Sequence, residues 1–219
     1  MTTAIITAIY DGYDTVKPTL EQSVDVEWIL VTDTWELNNV KTISGWTVKY
    51  LAQPELNSYL AAKIPKVTPT MFTKCKQSIW IDASFRVTSP TFAQEVMEYA
   101  DPIAHFVHPW RDCIYQECNT LLQLPKKHNG QPILEQVKAY EEDSHPKNWG
   151  LWATGVMARK HTKEVIEFQR LWLGEIVKWS LRDQLSHPYA LRKANLRPNK
   201  LPGTHFSNPW LAYEGSGRH

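Results

Sequence analysis

An α/β fold is what this chain of 219 residues predicts, on three observations. Apolar and β-branched runs of strand length alternate with segments of helical spacing. Three of those runs lead into carboxylates, at Asp11, Asp33 and Asp82, and open α/β sheets bind their ligands at the carboxyl ends of their strands. The length, with a hydrophobic share of 42%, suits one domain of substantial core over residues 1–219. We find no internal repeat, low-complexity tract or linker that divides it.

Taken in order, Ala4 to Ile9 reads as a buried first strand. It runs into Tyr10-Asp11-Gly12-Tyr13-Asp14, a polar and aromatic turn with one permissive glycine, where a first strand-to-helix loop would meet a nucleotide. Lys17 to Gln22 is expected as a short helix with Pro18 in its first turn. Val26 to Thr32 is a second strand that stops at Asp33. Tyr10, Asp11 and Asp33 thus put hydrogen-bond acceptors at one sheet edge, as recognition of a base and ribose requires, although each Asp alone is equally a solvated turn residue. Thr47 to Leu51 is a short third strand, and Leu56 to Ile64 a helix that Pro65 should stop. Lys63 and Lys66 flank that stop, as surface lysines or as partners of a phosphate.

The stretch Ser78-Ile79-Trp80-Ile81-Asp82-Ala83-Ser84-Phe85 organises the chain: strand-like residues run into a carboxylate, then into two small residues where the backbone turns. Ser89-Pro90 announces a helix, as a cap followed by proline at the first helical position. Ile103 to Val107 is a buried strand ended by Pro109, which aims His108 and Arg111 into a loop; Arg111 suits a phosphate or an acceptor carboxylate. Residues 125–150, around the helix Ile133 to Tyr140, read as a mobile or lid segment. Leu151 to Ala158 is a strand with Thr154-Gly155 at its centre, and glycine inside a strand marks a close approach. Thr162 to Trp179 carries apolar residues at 165, 168, 172, 176 and 179, one buried helix face that serves the core. Arg182-Asp183-Gln184 precedes a helical run from Leu185 to Ala194, and an ion pair at a helix start is the plain reading of it. The tail turns through Pro198, Pro202 and Gly203 to His205-Phe206-Ser207-Asn208-Pro209-Trp210.

A net charge of +1 argues against a dedicated polyanion binder. The charge is uneven: residues 1–62 hold three Lys/Arg against eight Asp/Glu, and residues 159–219 hold eleven against five. The basic end would face a diphosphate or form a solvated face. Ten Trp and nine Tyr offer platforms for sugars and bases beyond ordinary core packing. Three cysteines, Cys75, Cys113 and Cys118, have no paired metal spacing and read as reduced thiols. With no leader segment and no run of membrane-spanning length, the chain reads as a cytoplasmic protein without membrane partners.

The ordered motifs Tyr10-Asp11-Gly12-Tyr13-Asp14, Trp28 to Asp33, Trp80-Ile81-Asp82-Ala83-Ser84, His108-Pro109-Trp110-Arg111 and Trp179 to Gln184 resemble the glycosyltransferase-like family once called domain of unknown function 616. More loosely, Thr154-Gly155-Val156-Met157, Asp183-Gln184, His205-Phe206 and Pro209-Trp210 are similar to elements of glycosyltransferase family 8. The resemblance implies a GT-A, Rossmann-like domain with a mixed, mostly parallel sheet flanked by helices. It implies a hexosyl- or pentosyltransferase using a UDP- or GDP-sugar, with retention favoured. By the same resemblance residues 1–110 would hold the donor through Tyr10, Asp11, Tyr13, Asp14, Asp33, Lys63, Asp82 and Ser84. Residues 111–219 would form the acceptor side, with His108 and Arg111 from the preceding loop joined by Thr154 and Gly155. Asp183, Gln184 and Arg182 would form the catalytic centre, Asp183 binding sugar hydroxyls and Gln184 lying under the anomeric carbon.

Such enzymes hold a divalent metal with an Asp-X-Asp motif and a C-terminal His. Here Ser84 replaces the second carboxylate, and a hydroxyl is a weaker ligand for a hard cation. Asp82 and His205 remain as ligands for Mn or Mg, and a metal-free site neutralised by the basic C-terminal part is the alternative. The acceptor stays open between a glycan, a protein and a modified base in DNA, with DNA the minority case. A sugar nucleotidyltransferase is the rival enzyme, but its Gly-rich phosphate loop is missing after the first strand. A noncatalytic carbohydrate-binding protein is the rival outside enzymes, separated from both by nucleotide-sugar turnover.

Overall fold

The computed structural model describes residues 1–124 and 130–215. Its main sheet has eight strands in the order β3-β4-β2-β1-β5-β8-β7-β9. In chain order these are β1 (Thr3–Ile9), β2 (Val26–Thr32), β3 (Thr42–Ile43), β4 (Trp46–Tyr50), β5 (Gln77–Ile81), β7 (Ile103–Val107), β8 (Trp152–Lys160) and β9 (Asn199–Lys200). The run β4, β2, β1, β5 is parallel, whereas β8 runs antiparallel between β5 and β7. A two-stranded sheet pairs β6 (Phe85–Val87) with β10 (Leu211–Tyr213), tying the tail beside the end of β5.

Alternation along the strands divides the core in two. Ile5, Ile9, Ile79 and Ile81 point to one face with α2 (Phe92–Tyr99). Ala4, Ile6, Trp80 and Met157 point to the other, against α1 (Ser58–Val67), α5 (Lys163–Lys178) and α6 (Asp183–Lys193). The periodic face of α5 is buried as its spacing requires, at Val165, Phe168, Trp172 and Ile176. Helices α3 (Ile114–Leu122) and α4 (Ile133–Glu142) add a third cluster over the start of α6.

Three expectations need correction. Lys17 to Gln22 is not a helix, because its polar groups bond to neighbouring segments: Thr19 N–H to the Ser44 carbonyl at 3.0 Å, and the Trp46 indole to the Lys17 carbonyl at 2.7 Å. The Ser44-Gly45 turn beneath this strap has φ +90° at Gly45, where a β-carbon would strike the Thr19 side chain. Pro65 does not stop α1, which continues to Val67; in a last turn proline removes one hydrogen bond, and Thr68 closes the end by donating to the Ile64 carbonyl. Ser89 caps a turn, and α2 starts only at Phe92. In the stretch read as a lid, residues 125–129 lie outside the described residues and α4 forms as expected. No helix among the described residues is long and apolar enough to cross a membrane.

Candidate active site

Parallel pairing sends the carboxyl ends of β1, β2 and β5 to one edge, carrying Tyr10, Asp33 and Asp82, and two antiparallel steps through β8 bring the end of β7 with His108 to the same edge. Because β8 runs the opposite way, its first half reaches that same edge, and Thr154-Gly155 comes alongside Asp82. The Asp82 N–H donates to the Gly155 carbonyl at 2.8 Å. A β-carbon on Gly155 would lie 3.1 Å from Asp82 Oδ2 and 3.2 Å from the Phe85 ring, so a side chain here would push the carboxylate or the ring by a few tenths of an ångström.

Beside Asp82 the chain builds an ion array that is buried at Lys66 and Asp183 and open to solvent at Asp82. Trp80 Nε1 donates to Asp82 Oδ1 at 2.7 Å, and Lys66 Nζ lies 3.4 Å from the same oxygen. Lys66 also bonds Asp183 Oδ2 at 2.7 Å and contacts Thr154 Oγ1 at 3.3 Å, while Lys63 reaches Asp183 Oδ1 at 3.1 Å. Burial by itself would raise the Asp183 carboxyl, but the ammonium ions of Lys63 and Lys66 outweigh it and hold the group far below the usual carboxylate range. Burial would likewise lower Lys66, and Asp183 and Asp82 reverse that shift. Lys66 stands where it does because the fully buried Arg159 donates to the carbonyls of Lys66 and Val67, clamping the end of α1. Burial draws Arg159 down to about 9.

A second array adjoins the first. The fully buried Glu117 accepts from Arg111 Nε at 2.6 Å and Arg182 Nη2 at 2.8 Å, and Arg182 Nη2 lies 3.4 Å from Gln184 Oε1. Burial would raise Glu117, yet the two guanidinium groups hold it below its ordinary value. Gln184 Nε2 is buried and makes no hydrogen bond among the described residues. His108 accepts the backbone N–H of Arg111 at Nδ1, and burial, helped by Arg111 and Arg182, lowers it to about 4, so its imidazole is neutral near pH 7. Arg111 is therefore held by Glu117 rather than left as a free loop cation.

The tail closes over the edge. His205 packs edge-on against Phe85 with ring centroids 6.0 Å apart, close enough to Asp82 to feel its charge. Its Nδ1 is buried without a hydrogen-bond partner among the described residues, and Asp82 keeps a side chain 40% exposed. One carboxylate and one imidazole suit a divalent ion whose remaining positions are filled by substrate oxygens, and no third His, Cys, Asp or Glu joins them among the described residues. Ser84 contributes its carbonyl to the Glu214 N–H, fastening the tail.

At the β1–β2 end, Tyr10 and Asp33 line a pocket of about 240 Å³ with Ala52, Pro54 and Ser58. The Tyr10 hydroxyl donates to the Leu51 carbonyl, and the Asp11 N–H donates to Asp33 Oδ1 at 3.0 Å. Tyr13 meets Tyr59 edge-on with ring centroids 6.2 Å apart, whereas Asp14 turns away to Lys17 at 2.7 Å. Sequence reasoning passed over Glu117, although its position among Ile114, Cys118 and Leu121 put a carboxylate on a buried helix face. It also left Lys66 and Trp80 without a role beside Asp82.

A family model described as a TOD1/MUCI70 glycosyltransferase-like domain matches residues 2–205, a span that takes in both ion arrays and ends at His205. No curated protein sequence matches the chain. Among solved structures, apo mouse xyloside xylosyltransferase 1 superposes with a TM-score of 0.52 at 9% sequence identity, covering 92% of this chain and 85% of that one. At that identity the likeness is one of fold, and the fold is GT-A-like.

Proposed function

The chain belongs to the TOD1/MUCI70 glycosyltransferase-like family, and from that premise we propose that it moves a hexosyl or pentosyl group from a UDP- or GDP-sugar to an acceptor hydroxyl, with retention. The observation that carries this reading is the Lys63–Asp183–Lys66–Asp82 array at the carboxyl edge, beside a Gln184 amide nitrogen with no hydrogen-bond partner among the described residues. The base enters the Tyr10 pocket, Asp33 bonds the ribose, and Asp11 and Tyr13 line the path of the diphosphate. In the reaction the bond from the anomeric carbon to the phosphate oxygen breaks, and its electron pair leaves with the nucleoside diphosphate. The acceptor oxygen bonds that carbon and gives its proton to the departing phosphate.

Negative charge therefore grows on the diphosphate while an oxocarbenium-like sugar forms. Lys63 and Lys66 stand ready for the first, fixed before substrate arrives, so little reorganisation is needed. Asp183 has about four acceptor sites. Three donors already use it, Lys63, Lys66 and Thr154, and the remainder takes a sugar hydroxyl. Gln184, oriented by Arg182, lies under the anomeric carbon. Manganese or magnesium held by Asp82 and His205 would supply Lewis-acid stabilisation of the leaving group. The three free thiols, Cys75, Cys113 and Cys118, support a cytoplasmic site of action.

Calorimetric titration with UDP and GDP, with and without manganese, tests the donor side, followed by a screen of UDP- and GDP-sugar hydrolysis. Binding should also raise thermal stability, by about 2.7 kcal/mol at a hundred times Kd. Absence of heat with every nucleoside diphosphate refutes the reading.

A further inference from the structure

Of the aromatic rings exposed in this fold, three gather at the mouth of the site. Trp110 is 68% exposed, Phe206 46% and Tyr213 43%. The rings form a continuous chain: Trp110 to Phe206 at 6.0 Å, Phe206 to His205 at 3.9 Å, and His205 to Phe85 at 6.0 Å. Phe85 in turn borders Gly155 next to Asp82. From its other side Trp110 meets His108 at 5.6 Å, which leads to Arg111, Glu117 and Arg182. A single exposed ring needs no explanation, but a contiguous exposed group marks an interaction site, and this one runs between the two ion arrays.

We propose that Trp110 and Phe206 form the acceptor platform, and that the acceptor is a neutral carbohydrate whose apolar C–H face lies on the Trp110 indole. This rests on the glycosyltransferase reading and names the substrate class of its acceptor side. Two features favour a sugar over a nucleic acid. The rings are inclined by 38° and their centroids are 6.0 Å apart, so they make a shallow shelf for one ring rather than a slot for an intercalated base. The cations that adjoin Trp110 through His108 are also committed, Arg111 and Arg182 both to Glu117, which leaves little charge there for a phosphate backbone.

The test is saturation-transfer NMR on the full chain with methyl β-D-glucopyranoside, whose axial H1, H3 and H5 share one face, and with a ten-residue thymidine oligonucleotide as rival probe. The platform predicts strongest saturation on H1, H3 and H5, lost by at least fivefold in Trp110→Ala and in Phe206→Ala and regained in Trp110→Tyr. Retention of nucleotide-binding heat by the alanine variants shows that they fold. Oligonucleotide binding that weakens steeply with salt, without glycoside saturation, overturns the proposal in favour of a nucleic acid. Saturation that persists in both alanine variants overturns it too. If the wild type binds UDP or GDP but no glycoside, the platform falls while glycosyl transfer stands. If glycoside binds and no nucleotide does, the platform stands and the transfer reading falls.

Discussion

Replacing Glu117 with Gln isolates the second ion array without touching the nucleotide pocket. Glu117 is fully buried and receives charged hydrogen bonds from Arg111 and Arg182. The amide keeps one acceptor oxygen and turns an N–H toward a guanidinium, so both cations lose their counter-charge. Breaking a buried pair in this way costs about 3–5 kcal/mol. Here the two arginine side chains are 21% and 28% exposed and can turn partly to water, which brings the expected loss to about 2–3 kcal/mol. For a chain of this size that is a fall in Tm of roughly 4–12 °C, readable by scanning calorimetry at pH 7. Arg182 would also release Gln184, so turnover should fall about tenfold while UDP or GDP titrates as before. The carboxyl is depressed in the fold, so its contribution is complete above the ordinary Glu value of about 4.3 and fades as pH drops through the lower folded value. Wild type and variant should therefore converge in Tm at the acid end. A Tm change under about 1 °C at pH 7, or a gap that stays constant down to the acid limit, refutes the reasoning.

Gly155→Ala should press a methyl group on Asp82 Oδ2 and Phe85, at 3.1 and 3.2 Å, with β5 and β7 preventing retreat of the strand; urea unfolding should show a loss of about 1–3 kcal/mol and sugar-nucleotide turnover should fall at least as far as stability predicts. Asp183→Asn should flatten the acid limb of the stability curve, because a depressed carboxylate contributes above the ordinary Asp value of about 3.9 and loses that contribution as pH falls; an unchanged acid limb would show that the lysines do not hold it. Trp80→Phe removes the 2.7 Å donor to Asp82, and since Asp82 is 40% exposed water replaces part of it, leaving a loss of about 1 kcal/mol, measured by chemical denaturation.

Much of this protein was determined locally and is therefore legible in the sequence. Strand runs at Thr3–Ile9, Val26–Thr32 and Gln77–Ile81, and the spacing along Lys163–Lys178, follow from side-chain shape and periodicity, and strands that end in Asp announced the edge that carries the site. Local signals failed where bonding partners are distant in sequence. Lys17 to Gln22 bonds to the Ser44 turn instead of to itself, and Pro65 is tolerated because it falls in a last turn. Only the tertiary structure decided which charges meet. The antiparallel insertion of β8 between β5 and β7 brings Thr154 and Gly155 to Asp82, and Arg159 pins the end of α1 so that Lys66 can bridge Asp82 and Asp183, residues 101 positions apart in the chain. Charge pairing acts over a few ångströms of space and takes no account of sequence distance, so Lys63 and Lys66 remained surface or phosphate-binding candidates, and Glu117 carried no reading at all, until the sheet order set them beside Asp183 and Arg182.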